Sequence, residues 1–208
     1  SFLKRFGSSI AVCQGTAVIG ASLADPGGVS DAGEAYVYRY SGGTWNHGAV
    51  LNATDKSPGA GFGTSVAVHE DTIVVGAPSA ALSGKAMGQV YVFRPDGETW
   101  SQVGNITSPD ETGSVFFGNA VALSGDTVVI GAYQAESGSA ISAPGKAYVY
   151  RDTGGMWSRT ANLTAWTNRS AGSRFGSTVS IDNDTIVIGA LYTDIGALSN
   201  AGQAYIYR

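Results

Sequence analysis

One stretch recurs four times along the chain. At residues 62–78 it reads FGTSVAVHEDTIVVGAP: an aromatic–glycine pair, a short β-rich run, an acidic turn, a second β-rich run and Gly-Ala. The Phe-Gly pairs stand at Phe6-Gly7, Phe62-Gly63, Phe117-Gly118 and Phe175-Gly176, spaced by 56, 55 and 58 residues. The Gly-Ala pairs begin at Gly20, Gly76, Gly131 and Gly189, with the same three spacings. An aromatic run recurs as AYVYR, VYVFR, AYVYR and AYIYR, whereas Trp45, Trp100 and Trp157 mark a position found in the first three copies only. Self-similarity at such a period restricts a chain to stacked units, each unable to bury its apolar surface alone.

Each unit reads as four strands, with boundaries at about 6–61, 62–116, 117–174 and 175–208 inside one domain, 1–208. The first strand is short, as in TSVAV, and ends at a tight turn: CQGT, HEDT, SGDT or DNDT. The second, TIVVGA, is rich in β-branched residues. A loop of small and polar residues leads to the aromatic third strand. A Gly-containing hairpin turn then leads to a fourth strand that starts at the Trp. The second and third strands do not alternate between apolar and polar residues, as a strand with one wet face would. Continuous apolarity predicts small sheets covered on both faces, hence an all-β fold of four-stranded blades stacked as in a β-propeller. A β-solenoid also stacks repeats, but its coils are usually shorter, about 20–30 residues.

Composition narrows the function classes. Hydrophobic residues make up 43% of the 208-residue chain, enough for a sizeable core, and charged residues only 13%. The net charge of −4 and the lack of a Lys/Arg cluster give no footprint for nucleic acid. No apolar run reaches the roughly 18 residues of a membrane span. Cys13 is the one cysteine, so an internal disulfide and a cysteine-rich metal site are both excluded.

With these motifs in register, the units resemble FG-GAP repeats, the blades of integrin α-subunit propellers and of many secreted proteins. The stretch at 62–78 matches the pattern in full, Phe62-Gly63 followed by Gly76-Ala77-Pro78. The other copies replace the Pro with Ser22, Tyr133 or Leu191. The resemblance implies structural roles for the motif: the four Phe residues packed between blades, the glycines at close backbone approaches, and the Trp residues over the outer part of each blade. It also implies a ligand face made by the second-to-third and fourth-to-first strand loops. One departure matters. Calcium-binding blades carry an Asp-rich loop between the first two strands, and calcium takes six to eight oxygens. Here that loop is a tight turn with too few carboxylates, so no metal or other cofactor is expected. Asp25 and Asp31 in the LADPGGVSDAG loop, and Asp182 and Asp184 in DNDT, read as turn formers.

No catalytic residues are assigned. His47 and His69 occupy unlike positions in the repeat, and no acid or nucleophile is paired with either. The Gly-rich stretches precede strands rather than helices, so they lack the helix N-terminus of a phosphate cradle. Five of the eight Asn residues begin an N-x-Ser/Thr triplet: Asn52, Asn105, Asn162, Asn168 and Asn183. The first four fall on the fourth strand or just after it, which is the outer rim of a propeller, where a glycan projects into water. This points to a secreted or cell-surface glycoprotein.

The fourth unit ends at AYIYR, without a Trp strand, and SFLKR at the N-terminus offers only Phe2 and Leu3 as a strand stub. Three arrangements fit: part of a longer ring, a compact four-bladed ring, or an edge completed by another chain. An exposed strand edge invites pairing. The expected function is therefore a non-enzymatic extracellular scaffold or adhesion module that assembles with copies of itself or with adjoining blades. The alternative is a recognition module for an extracellular protein or glycan.

Overall fold

The computed structural model describes residues 4–82, 84–109, 115–135, 143–168 and 170–208. Phe2 and Leu3 lie outside them.

The first blade is a meander of β1 (Phe6–Cys13), β2 (Thr16–Ala21), β3 (Glu34–Ser41) and β4 (Thr44–Leu51). The second holds β5 (Ser65–His69), β6 (Thr72–Ala77), a small hairpin of β7 (Ala81–Leu82) and β8 (Lys85–Ala86), then β9 (Gln89–Asp96) and β10 (Thr99–Thr107). The third is β11 (Val121–Ser124), β12 (Thr127–Ala132), β13 (Lys146–Asp152) and β14 (Trp157–Leu163). The fourth has three strands only, β15 (Phe175–Asp182), β16 (Thr185–Ala190) and β17 (Gln203–Tyr207). All neighbouring strands within a blade are antiparallel, in chain order from the innermost strand outward.

The local chemistry explains each junction. The first two strands of every blade are joined by a two-residue hairpin, closed by the pairs Cys13–Thr16, His69–Thr72, Ser124–Thr127 and Asp182–Thr185. Gln14, Glu70, Gly125 and Asn183 take the positive φ these turns need. The outer hairpin of each complete blade carries a β-bulge at an equivalent place, between Val37 and Tyr38, between Gln102 and Gly104, and between Val149 and Tyr150. A bulge adds twist, and here it adds it to the outermost strand.

The core lies between blades. Each blade has a leading face, which carries the Phe of its Phe-Gly pair, and a trailing face opposite. Val18, Val37 and Leu51 on the first trailing face pack with Phe62, Val66, Ile73 and Tyr91 on the second leading face. Val74, Val92 and Ile106 meet Phe117, Val128 and Tyr148 in the same way. Val129 and Val149 meet Phe175, Ile188 and Tyr205. Both faces of the two middle blades are thus buried, and β6 and β12 are buried from their second residue to their last.

The end blades differ from the sequence expectation of cover on both sides. β2 and β16 alternate between buried and more exposed positions, because only one face of each end blade has a neighbour. The first leading face leaves Ile10 and Val12 75% and 68% exposed, and the fourth trailing face leaves Ile206 64% exposed.

Candidate interaction surfaces

The Phe-Gly pair is a plug that fits a slot on the preceding blade. The residue before each Phe has positive φ, namely Arg5, Gly61, Phe116 and Arg174. The Gly after each Phe has φ between +85° and +89°, a region that side chains other than glycine's rarely enter. This reversal turns the Gly carbonyl outward, into the preceding blade. The carbonyl oxygens of Gly63, Gly118 and Gly176 fill the space that a Cβ on Gly20, Gly76 or Gly131 would occupy. Side chains beside the slot hold the carbonyl: Ser9 Oγ donates to Gly63 O at 2.8 Å, Ser65 Oγ to Gly118 O at 2.7 Å and Asn119 Nδ2 to Gly176 O at 3.2 Å. A second bond latches the Phe itself. The amides of Phe62, Phe117 and Phe175 donate to the carbonyls of Ala32, Met87 and Pro144, at 2.9, 3.2 and 2.9 Å. Each of those three Phe side chains is fully buried. The motif glycines are therefore needed for shape: a methyl at Gly76 or Gly131 would collide with backbone.

The Trp residues serve the same interfaces. Trp100 is buried in the cluster joining the first two blades, with the Arg39 guanidinium 5.2 Å from the ring centre. Trp157 packs on the next cluster. Trp45, on the first blade, stays exposed. The fourth blade lacks this strand, and a Trp outside the repeat spacing takes up the aromatic surface. Trp166, in the loop after β14, meets Tyr205 and Tyr207 edge-on at 5.0 and 4.8 Å. The same loop accepts both phenols, Tyr205 Oη on Thr167 O and Tyr207 Oη on Thr164 O, each at 2.7 Å. Burial pushes the Tyr207 phenol up to about 12. Sequence spacing gave no sign of Trp166's role.

Asn105 lies on β10 and Asn162 on β14, Asn52 follows β4, and Asn168 lies in the loop after β14. Asn183 stands apart, in the turn between β15 and β16. Asn105, Asn162, Asn168 and Asn183 are exposed and Asn52 is half-buried. Three amides have side-chain acceptors: Asn105 Nδ2 donates to Gln89 Oε1 at 2.8 Å, Asn168 Nδ2 to Gln203 Oε1 at 2.9 Å and Asn183 Nδ2 to Asp182 Oδ1 at 3.1 Å.

The turns between first and second strands converge on a polar cleft of about 380 Å³ that holds His69, Ser124, Asp126, Arg151, Asn183 and Asp184. Asp126 accepts from Arg151 Nε at 2.8 Å, and that bond holds its carboxyl below the usual carboxylate range. Nearby, Arg94 pairs with Asp152 across the second and third blades. Among the described residues no three His, Cys, Asp or Glu side chains converge as metal ligands would. The Asp25 carboxylate accepts from the Asp31 amide at 2.8 Å, and Asp194 from the Asn200 amide at 2.7 Å, so both are closing loops of their own blades. His47 lies on β4 among Tyr36 and Tyr38.

On the opposite loop face, aromatic rings and a guanidinium stack in a row. Phe116 lies on Tyr133 at 5.1 Å with ring planes 19° apart. Arg174 sits over Tyr133 at 5.3 Å and over Tyr192 at 4.7 Å. The row joins the residues before two Phe-Gly pairs to the loops that follow two Gly-Ala pairs.

No helix of the described residues is long and apolar enough to cross a membrane. No curated protein matches the chain. Among solved structures, the crystal structure of Saccharomyces cerevisiae Sqt1 is similar with a TM-score of 0.52 at 12% identity, over 90% of this chain and 43% of that one. The chain thus spans under half the length of that structure, and the likeness is one of fold. The sequence profile of the FG-GAP repeat matches at residues 3–38, 45–93, 100–150 and 157–207. Its later matches begin at a Trp strand and run through the next three strands, so the sequence repeat is out of phase with the blade. Four matches across nearly the whole chain, each carrying the plug and slot described above, make it a member of the FG-GAP repeat family.

Proposed function

We propose that this chain is a non-enzymatic, extracellular, glycosylated scaffold or adhesion module that assembles with copies of itself through its open fourth blade. The observation that carries the reading is the three-stranded fourth sheet. β17 is its edge, whereas the equivalent strands β3, β9 and β13 are each paired on both sides. A strand edge with unpaired amides and carbonyls is a template for another chain. Motif residues throughout the repeat are spent on blade packing, which suits a protein whose product is an arrangement in space. FG-GAP repeats occur in extracellular proteins, and sequons on or just after outer strands suit that setting.

Two measurements test the reading. Secretion from a eukaryotic host should yield protein whose intact mass falls on enzymatic glycan release; a single unmodified mass contradicts the glycoprotein. Appending an outer strand after Arg208 through a Gly-rich turn should complete the fourth blade and remove edge-mediated assembly; unchanged assembly contradicts the edge.

A second reading, a recognition module for a glycan or an extracellular protein, is favoured by the Phe116–Tyr133–Arg174–Tyr192 row, since stacked rings and a guanidinium suit sugar faces and carboxylates. A glycan array with the native chain and the Arg174→Ala variant decides it. Binding lost in the variant supports recognition at this row, and no bound glycan removes a glycan as its ligand.

A further inference from the structure

The ring that braces the fourth blade also stands at a fixed distance from a sequon. The repeat puts no Trp at 166, yet Trp166 lies two residues before Asn168, which opens the Asn-x-Ser triplet closed by Ser170. Two residues before the other four sequon Asn residues stand Val50, Val103, Thr160 and Ile181, none of them aromatic. The loop that carries Trp166 and Asn168 runs from β14 to β15, at the joint of the third and fourth blades.

The loop brings the indole and the Asn168 amide together. The chain bends at Trp166 and Thr167, and Asn168 follows with a φ of +49°. Asn168 Nδ2 donates to Gln203 Oε1 at 2.9 Å, and that oxygen lies 3.2 Å from Tyr205 Oη. The Tyr205 ring is in turn 5.0 Å from the Trp166 ring. The amide nitrogen and the indole thus gather around one tyrosine. Both remain open to solvent, Trp166 at 56% and Asn168 in the exposed class. A side-chain amide has two hydrogens and glycosylation replaces one, so a modified Asn168 keeps an N–H for Gln203.

We propose that Asn168 is glycosylated and that the first N-acetylglucosamine of its glycan packs on the Trp166 indole, bracing the loop that holds the fourth blade. This rests on the glycoprotein reading above and names one site and the surface that receives its sugar. The Asn168 amide nitrogen takes C1 of an oligosaccharide carried on a lipid pyrophosphate. The C1–N bond forms, the C1–O bond to the pyrophosphate breaks, the lipid pyrophosphate leaves and the nitrogen loses one proton. The C–H groups on the face of a sugar ring are weakly electropositive and the face of an indole is electron-rich, so the two attract. Trp166 is then held between the sugar and the two tyrosines that it meets edge-on. Its loop accepts both phenols, through Thr164 O and Thr167 O, so a sugar that stiffens the loop stiffens the joint.

The test uses the 208-residue chain secreted from a eukaryotic host. Ser170→Ala removes the sequon but keeps Asn168 and its bond to Gln203, and it is made with Trp166 and with Trp166→Leu. Ser170 Oγ also accepts from the Asp194 amide at 3.4 Å, a loss common to both backgrounds that cancels in the cycle. Glycopeptide mass spectrometry should find Asn168 occupied. In urea unfolding, the fall in the folding constant on Ser170→Ala should be roughly two- to tenfold larger with Trp166 than with Leu, the range of an aromatic contact. An equal fall in both backgrounds overturns the stacking. Should the Trp166→Leu chain not fold, the native chain with an isotope-labelled glycan decides. Ring protons of the first sugar, assigned by their loss in Ser170→Ala, should move upfield in the indole ring current, and unshifted protons overturn the proposal. An unmodified Asn168 beside glycans at other sequons overturns this site and leaves the glycoprotein reading standing. No glycan at any of the five overturns both.

Discussion

At the scale of single residues, the motif Phe and Gly side chains act by shape. Gly131 has the Gly176 carbonyl where a methyl would go, while Gly189 has only the Thr178 hydroxyl there. Gly131→Ala is therefore expected to cost more than about 2 kcal/mol and Gly189→Ala less than about 1 kcal/mol, because backbone cannot yield as a hydroxyl rotamer can. The midpoints of urea unfolding measure both. The Phe residues divide in the same way: Phe117→Ala should cost about 3–5 kcal/mol, as expected for a fully buried ring. Phe6→Ala should cost less than about 1 kcal/mol in dilute monomer, because that ring is half exposed. The motif spacing made these residues readable as packing groups. It did not reveal Trp166, whose role follows from the lack of an outer strand in the fourth blade rather than from any repeat position.

At the scale of elements, burial follows from a strand's place in the stack more than from its composition. TIVVGA in β6 and TIVIGA in β16 are nearly the same sequence, yet the first is buried on both faces and the second on one. Local sequence reports that a strand can be covered, and the number of neighbouring blades decides whether it is. The third strands place their tyrosines at the joints, and burial raises the phenol pKa of Tyr91, Tyr205 and Tyr207, with a hydrogen bond to Asp55 adding to the effect at Tyr91. The sign follows from linkage. These phenols are protonated in the folded chain above pH 10, where the unfolded chain ionises them, so their contribution is whole below pH 10 and is lost as pH rises through their raised values, about 12 for Tyr207. Alkaline titration should show tyrosinate absorbance for these groups appearing together with loss of the sheet signal. Full ionisation with the fold intact contradicts their burial in the joints.

At the scale of the molecule, four blades stack through three repeats of one interface, and both halves of a fourth remain exposed at the ends. The period and the motifs foretold the blade, its strand order and the missing outer strand of the fourth copy. They did not foretell that the unsatisfied surface would include whole faces as well as a strand edge, because faces become visible only when the blades are set side by side. If copies join through the open fourth blade, the particle is larger than one chain. Negative-stain electron microscopy of the purified 208-residue chain tests this most directly. The account predicts rings or filaments built of joined four-bladed units. Isolated four-bladed particles at every concentration would contradict it.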